Sequence, residues 1–235
     1  MQFPSQGVNK LSKQSSGFSD DLKNQASKTQ SPDNSVDHTN KVQHANALMN
    51  QGELQKAEAL YRELIITGTR SHIAYSNLAA IYLMLGRHDK SIPLLKKSLE
   101  LKPNNSDVHI NLGNALKAKG DLTAAIASYN KAIEIKPNDP AAHNNLGNAL
   151  KAQRDLTAAI ASYNKAIEIK PNYPNAHNNL GIALYEYGDF TAAIASFNTA
   201  LRLNPTFTDA HFNLGNALKQ QADLPHAIDS FNTVP

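Results

Sequence analysis

A 34-residue period governs this sequence from about Ser35 to its end. Residues 103–136 read PNNSDVHINLGNALKAKGDLTAAIASYNKAIEIK and residues 137–170 read PNDPAAHNNLGNALKAQRDLTAAIASYNKAIEIK, so only seven of 34 positions differ. The unit returns at 171–204 and, shortened, at 205–235; more divergent copies occupy 69–102 and 35–68. A unit of this size cannot bury its apolar face alone, so a fixed period predicts a stack in which each copy is covered by its neighbours. Six stacked copies make an extended surface, and such a surface suits the binding of another chain.

Each copy resolves into two helices. In the third, Val108, Leu112, Ala115 and Leu116 recur at helical spacing and mark the inward stripe of a first helix. Gly120 and Asp121 follow, a residue that tolerates the left-handed conformation and one that caps the next helix. Leu122, Ala125, Ile126, Tyr129, Ala132 and Ile133 then line the apolar face of a second helix, which Pro137 ends. The turn holds Gly52, Gly86, Gly120 and Gly188 in four copies, but Arg154 and Ala222 in the other two. Gly113, Gly147, Gly181 and Gly215 fall inside the first helix, with Ala45 and Ala79 in the first two copies. A glycine there costs about 0.5–1 kcal/mol relative to alanine, which predicts a close approach that a side chain would block.

Composition narrows the chemistry. The absence of cysteine removes disulfides, thiol nucleophiles and cysteine-ligated metals, and suits a reducing, cytoplasmic setting. A net charge of +3 is too mild and too scattered for a nucleic-acid surface. The N-terminus has no apolar core of a signal peptide, and no run of about 18 apolar residues could enter a membrane. Residues 1–34 are rich in Ser, Gln, Asn, Lys and Asp and read as a flexible lead-in. A short amphipathic helix over Asp20–Ser27 would have Phe18 and Leu22 as its only apolar contacts.

The repeat resembles the tetratricopeptide repeat (TPR). That family's pattern of an aromatic, Leu-Gly, an aromatic or Leu, then Ala, an aromatic, Ala and Pro is matched by His109, Leu112-Gly113, Leu116, Ala125, Tyr129, Ala132 and Pro137. His143, Leu146-Gly147, Leu150, Ala159, Tyr163, Ala166 and Pro171 repeat it. The resemblance covers about 200 residues and implies an all-α, right-handed superhelix (an α-solenoid) of about six helix-turn-helix repeats. One departure is systematic: His109, His143, His177 and His211, with Tyr75 in the second copy, stand where the family often has Trp. Histidines one repeat apart cannot share a metal ion, because neighbouring helices pack about 8–10 Å apart and zinc holds its ligands at about 2 Å. They are expected to be packing residues with one hydrogen-bonded nitrogen. No phosphate loop, metalloprotease motif or nucleophile elbow is present, and neither a cofactor nor catalysis is expected.

The informative residues lie on the other side of the first helix. Asp107, Ile110, Asn111, Asn114 and Lys117 share one face opposite the core, and the resemblance implies that this face lines a concave groove. Asn111 recurs as Asn77, Asn145, Asn179 and Asn213, although Asn is a mediocre helix former. With two donors and an acceptor each, these amides could hold the backbone of an extended peptide at intervals, or could bond to neighbouring helices or water. Asn148 and Asn216 continue the strip of Asn114, with Ile182 as the exception. Lys117, Lys151 and Lys219 form a row near their helix ends, where they compensate the helix dipole or attract an acidic ligand. Repeat 5 interrupts both rows with Ile182, Tyr185 and Glu186, so the groove is not uniform.

Chaperone-binding members of the family clamp a terminal carboxylate with residues resembling Asn114 and Asn145, plus basic residues where this sequence has Ile110, Asn175 and Asn179. Without those charges, chaperone-tail binding is not expected. The asparagine ladder looks more like the repeat arm of O-linked N-acetylglucosamine transferases and similar bacterial multidomain proteins. Two functions follow from the resemblance: a scaffold holding a protein or extended peptide, and the recognition arm of a longer transferase. At the C-terminus, Ile228 and Phe231 lack a following helix, which predicts a cut within a longer protein or an edge that pairs with another copy.

Overall fold

The computed structural model describes residues 34–232. Residues 1–33 of the lead-in, its expected short helix among them, and residues 233–235 lie outside the described residues. Twelve α-helices and no strand make up the described part. The first, α1, begins at Asn34, one residue inside the segment expected to be a lead-in.

The helices fall into two compact units divided between Pro103 and Asn104. The first holds α1 (Asn34–Asn50), α2 (Leu54–Ile66), α3 (His72–Met84) and α4 (His88–Leu101). The second holds α5 (Ser106–Ala118), α6 (Leu122–Ile135), α7 (Pro140–Ala152), α8 (Leu156–Ile169), α9 (Pro174–Tyr187), α10 (Phe190–Leu203), α11 (Thr208–Gln220) and α12 (Leu224–Asn232). Within each unit a helix packs against its sequence neighbours, and the first helix of each repeat also touches the first helix of the next. This is an all-α solenoid, and its core is correspondingly local. One cluster gathers Ala159 and Tyr163 from α8 with Leu180 and Ala183 from α9. Another joins Ala193 and Phe197 of α10, Leu214, Ala217 and Leu218 of α11, and Ala227 of α12.

Turn chemistry explains why the helices stop where they do. After α5, Gly120 sits at φ 81°; its N–H donates to the Lys117 carbonyl at 2.9 Å, and the Asp121 N–H to that of Leu116 at 3.0 Å. The paired bonds satisfy carbonyls that the helix end would leave open, and they need a left-handed residue between them. Arg154 (φ 70°) and Ala222 (φ 60°) take the same conformation without being glycine. Next in the chain, Asp121, Asp155 and Asp189 cap α6, α8 and α10, each accepting a backbone N–H at 3.0–3.1 Å.

The helical glycines answer to an aromatic ring. A Cβ on Gly113, Gly147, Gly181 or Gly215 would lie only 2.5–2.6 Å from the ring of Tyr129, Tyr163, Phe197 or Phe231. The close approach expected from sequence is thus between a backbone and the ring of the paired helix in the same repeat. Real Cβ atoms need about 3.5–4.0 Å, so the glycine makes the seat of the ring.

Candidate functional site: an asparagine-lined helix face

In the second unit, α5, α7, α9 and α11 lie side by side and present a polar face. The buried aromatics behind them decide how its amides point. Tyr129 and Tyr163 are fully buried, and their hydroxyls donate to Asn114 Oδ1 at 2.7 Å and Asn148 Oδ1 at 2.8 Å. Burial raises the pKa of both phenols, for Tyr163 with help from the charge of Glu186, so each hydroxyl stays protonated and donates. A donor behind the amide fixes its orientation: oxygen toward the core, nitrogen outward. The first unit repeats the arrangement, with Tyr61 donating to Asn46 Oδ1 at 2.6 Å.

The ladder asparagines point the opposite way. Asn179 Nδ2 donates to Asn144 Oδ1 at 3.0 Å, and Asn213 Nδ2 to Asn178 Oδ1 at 3.1 Å. Asn145 Nδ2 reaches Asn114 Oδ1 at a longer 3.4 Å. In the first unit, Asn77 Nδ2 donates to Asn46 Oδ1 at 2.8 Å and to the Tyr61 hydroxyl at 3.1 Å. The amide–amide bonds run between first helices of adjacent repeats, and the Asn77–Tyr61 bond reaches the second helix of the preceding repeat; bonding to neighbouring helices was one of the two alternatives read from sequence. They consume amide nitrogens and leave the oxygens of Asn145, Asn179 and Asn213 to accept. Asn111 and Asn216 are half-buried on α5 and α11, and behind Asn216 the hydroxyl is missing because Phe231 holds the tyrosine's place.

Sequence reasoning missed Asn144 and Asn178, each 5 % exposed. The Asn-Asn doublets 144–145 and 178–179 were the available signal: two adjacent amides on one helix cannot both serve the same face. It also missed the tyrosine hydroxyls, since Tyr129 and Tyr163 read simply as core residues.

The lysine row is not uniform. Lys151 Nζ lies 3.2 Å from Glu186, which also meets the Arg154 guanidinium at 3.7 Å. Lys219 is exposed, whereas Lys117 is half-buried and burial holds its pKa below the ordinary lysine range. Tyr185 stacks edge-on against Phe190, with ring centres 5.3 Å apart, and its hydroxyl accepts from Gln220 Nε2 at 3.4 Å. Repeat 5 therefore closes its part of the face with an aromatic pair and an acid.

The histidines serve packing. Nε2 of His143, His177 and His211 donates to the carbonyl of Pro137, Pro171 and Pro205 at 2.8–2.9 Å. A carbonyl only accepts, so Nε2 carries the proton. Tyr75 makes the equivalent, longer bond to the Thr69 carbonyl at 3.4 Å. Among the described residues, no three His, Asp or Glu side chains gather in a way that could hold a metal ion, and no helix is long and apolar enough to cross a membrane.

Models described as "Tetratricopeptide repeat" match residues 72–105 and 94–127, and one described as "TPR repeat" matches 113–154, 147–188 and 183–221. Among solved structures, MamA is 25% identical, with a TM-score of 0.62 over 67% of this chain and 92% of its own. The type IV pilus biogenesis factor PilW is 20% identical, with a TM-score of 0.73 over 82% and 90%. YrrB, described as a TPR protein with an unusual peptide-binding site, is 22% identical, with a TM-score of 0.65 over 72% and 88%. The Hsp70-Hsp90 organizing protein of Triticum aestivum is 29% identical over 84 residues, a match spanning 36% of this chain and 14% of the wheat protein.

Proposed function

The chain belongs to the tetratricopeptide repeat family, and from that premise we propose that it is an interaction scaffold whose asparagine-lined face grips an extended segment of a partner protein. The supporting observation is the fixed polarity of the amides. Asn114 and Asn148 turn nitrogens outward because tyrosine hydroxyls hold their oxygens. Asn145, Asn179 and Asn213 keep oxygens free because their nitrogens are engaged. A peptide backbone offers alternating carbonyl and N–H groups and can meet both rows without being read for sequence. Neighbouring helices lie about 8–10 Å apart, and an extended segment rising about 3.1–3.4 Å per residue covers that span in about three residues. The ladder would then touch roughly every third residue of its ligand.

The same recurrence supports a kinship with the repeat arms of O-linked N-acetylglucosamine transferases, in which case this segment would recognise the substrate of a catalytic domain elsewhere. Neither role needs chemistry from the repeats themselves.

Selection of random displayed short peptides on the protein tests the grip. The variant with Asn111, Asn145 and Asn179 all changed to Ala should lose the selected peptides while its helical circular dichroism is kept, because alanine is the better helix former. Undiminished binding would sink the groove reading. Loss of helicity would instead assign the amides to holding the helices together.

A further inference from the structure

Lys117 and Lys151 occupy the same place in consecutive repeats, in the last turn of α5 and of α7. Their surroundings differ. Lys151 has Glu186 in the next repeat at 3.2 Å, and Glu186 also answers Arg154. One repeat earlier, the position of Glu186 is held by Ala152, an exposed alanine closing α7. The acid that would answer Lys117 is absent from the sequence. Desolvation alone perturbs the Lys117 ammonium, and no hydrogen bond or ion pair joins it to a described residue.

Helix-dipole compensation does not require this burial, since Lys219 fills the same place in α11 and is exposed. A half-buried ammonium without a counter-charge carries a desolvation cost that no side-chain carboxylate or hydrogen bond in the fold offsets, leaving only the weak pull of the helix end. One turn back on the same face, Asn114 turns its nitrogen outward, and Asn148 does so in the next repeat. Donors predominate at this point: an ammonium and two amide nitrogens whose own oxygens are engaged by tyrosine, with the Asn145 oxygen as the one acceptor left open beside them. An acceptor of negative charge is the complementary group.

We infer that Lys117, Asn114 and Asn148 form a subsite for the carboxylate of an aspartate or glutamate side chain carried by the extended partner segment. The inference rests on the groove reading above and adds to it a side-chain preference located at repeats 3 and 4. Repeat 5 is excluded from that preference, because it supplies its own acid in Glu186 and an aromatic in Tyr185.

The test uses the full chain and the same random peptides. Selected binders should be enriched in Asp or Glu at one position, and replacing that residue by Gln or Asn should weaken binding about tenfold, the scale of a charge-assisted hydrogen bond. On Lys117→Gln the acidic and amide peptides should bind alike. Ala152→Glu, at an exposed helix position that leaves the fold intact, should supply the missing acid and abolish the preference too. Binders without acidic enrichment, or a preference that survives both variants, would overturn the subsite while leaving the groove standing. A library that yields no binders at all would overturn the groove and the subsite together. Lys117-dependent binding of inorganic phosphate, with no acidic preference among peptides, would mark a small-anion site and overturn the proposal.

Discussion

Repeats 4 and 5, built from α7–α8 and α9–α10, share most of their residues and solve the same packing problem differently. In repeat 4, Tyr163 packs on Gly147 and donates its hydroxyl to Asn148 at 2.8 Å. In repeat 5 both polar partners are gone together: Phe197 packs on Gly181, and Ile182 stands where the asparagine would be. Replacing both members of a hydrogen-bonded pair by apolar groups is close to neutral, whereas losing one leaves the other unsatisfied. The first unit shows the same coupling, since Tyr61 goes with Asn46 and the buried Leu95 goes with Ala80. A ring is seated on the helical glycine in repeats 3 to 6, and the hydroxyl and amide come and go together in repeats 1 to 5; repeat 6 alone keeps its amide, Asn216, opposite the hydroxyl-free Phe231. Where the pair is present, the face presents a fixed donor, and where it is absent the face is apolar.

The largest effect should come from the seat that the two repeats share. Gly147→Leu drives a side chain into a ring only 2.6 Å from where its Cβ would stand, and overpacking should destabilise the protein by about 3 kcal/mol. Gly181→Leu should cost nearly as much, because Phe197 sits equally close at 2.5 Å. Urea unfolding measures both; a large difference between them would mean that the Tyr163 hydroxyl bond, and not the close contact, anchors the ring.

A double-mutant cycle isolates the difference between the repeats. Tyr163→Phe should cost about 1 kcal/mol, and Asn148→Ile about 1–2 kcal/mol because it strands a buried hydroxyl. The double variant copies repeat 5 and should recover about 1 kcal/mol or more of the summed cost. Strict additivity would show that the pair is not coupled.

The turns provide a third comparison. Repeat 4 ends its first helix on Arg154 at φ 70°, repeat 5 on Gly188 at φ 97°. Arg154→Gly should stabilise by about 1 kcal/mol, and Gly188→Ala should destabilise by a similar amount. The Arg154–Glu186 contact, 3.7 Å long and with the arginine largely in solvent, is too weak to reverse the sign. A neutral Arg154→Gly would show that the left-handed conformation is not strained here.

The smallest effect is in pH dependence. Asp139 caps α7 by accepting from the Ala141 and Ala142 N–H groups at 2.9 and 3.2 Å. Tyr173 at the same place before α9 makes no side-chain cap. Burial opposes the charge of Asp139, but those two N–H groups and Lys136 outweigh it and hold its carboxyl below the usual carboxylate range. A depressed folded-state pKa stabilises at neutral pH, and this contribution is lost as pH falls below about 4 toward the folded-state value. Asp139→Asn keeps the cap geometry, so stability near pH 7 should fall by only about 0.5 kcal/mol. Its acid sensitivity should flatten in that window, which unfolding curves across a pH series would show. An unchanged acid profile would remove Asp139 from the account.

The sequence alone determined what depends on neighbours along the chain. The 34-residue period set the helix pairs, the Gly-Asp steps set the turns and the caps, and the glycines Gly113 and Gly147 announced a close contact. Even the histidine bonds were legible, because His143 and Pro137 are joined within one repeat at 2.9 Å. These are short-range matters of backbone conformation and local hydrogen bonding, and composition at fixed offsets encodes them. The direction of each amide was not legible. Asn has a donor end and an acceptor end on nearly the same shape, and only a partner on another helix chooses between them. Tyr129 lies 15 residues from Asn114, and Asn178 lies 35 residues from Asn213. Equally, Lys117 and Lys151 are one row in the sequence, and only the placement of Glu186 against one of them separates a paired cation from an unpaired one. Tertiary structure decided the polarity and charge of the face because both are set by pairs of residues that meet through packing.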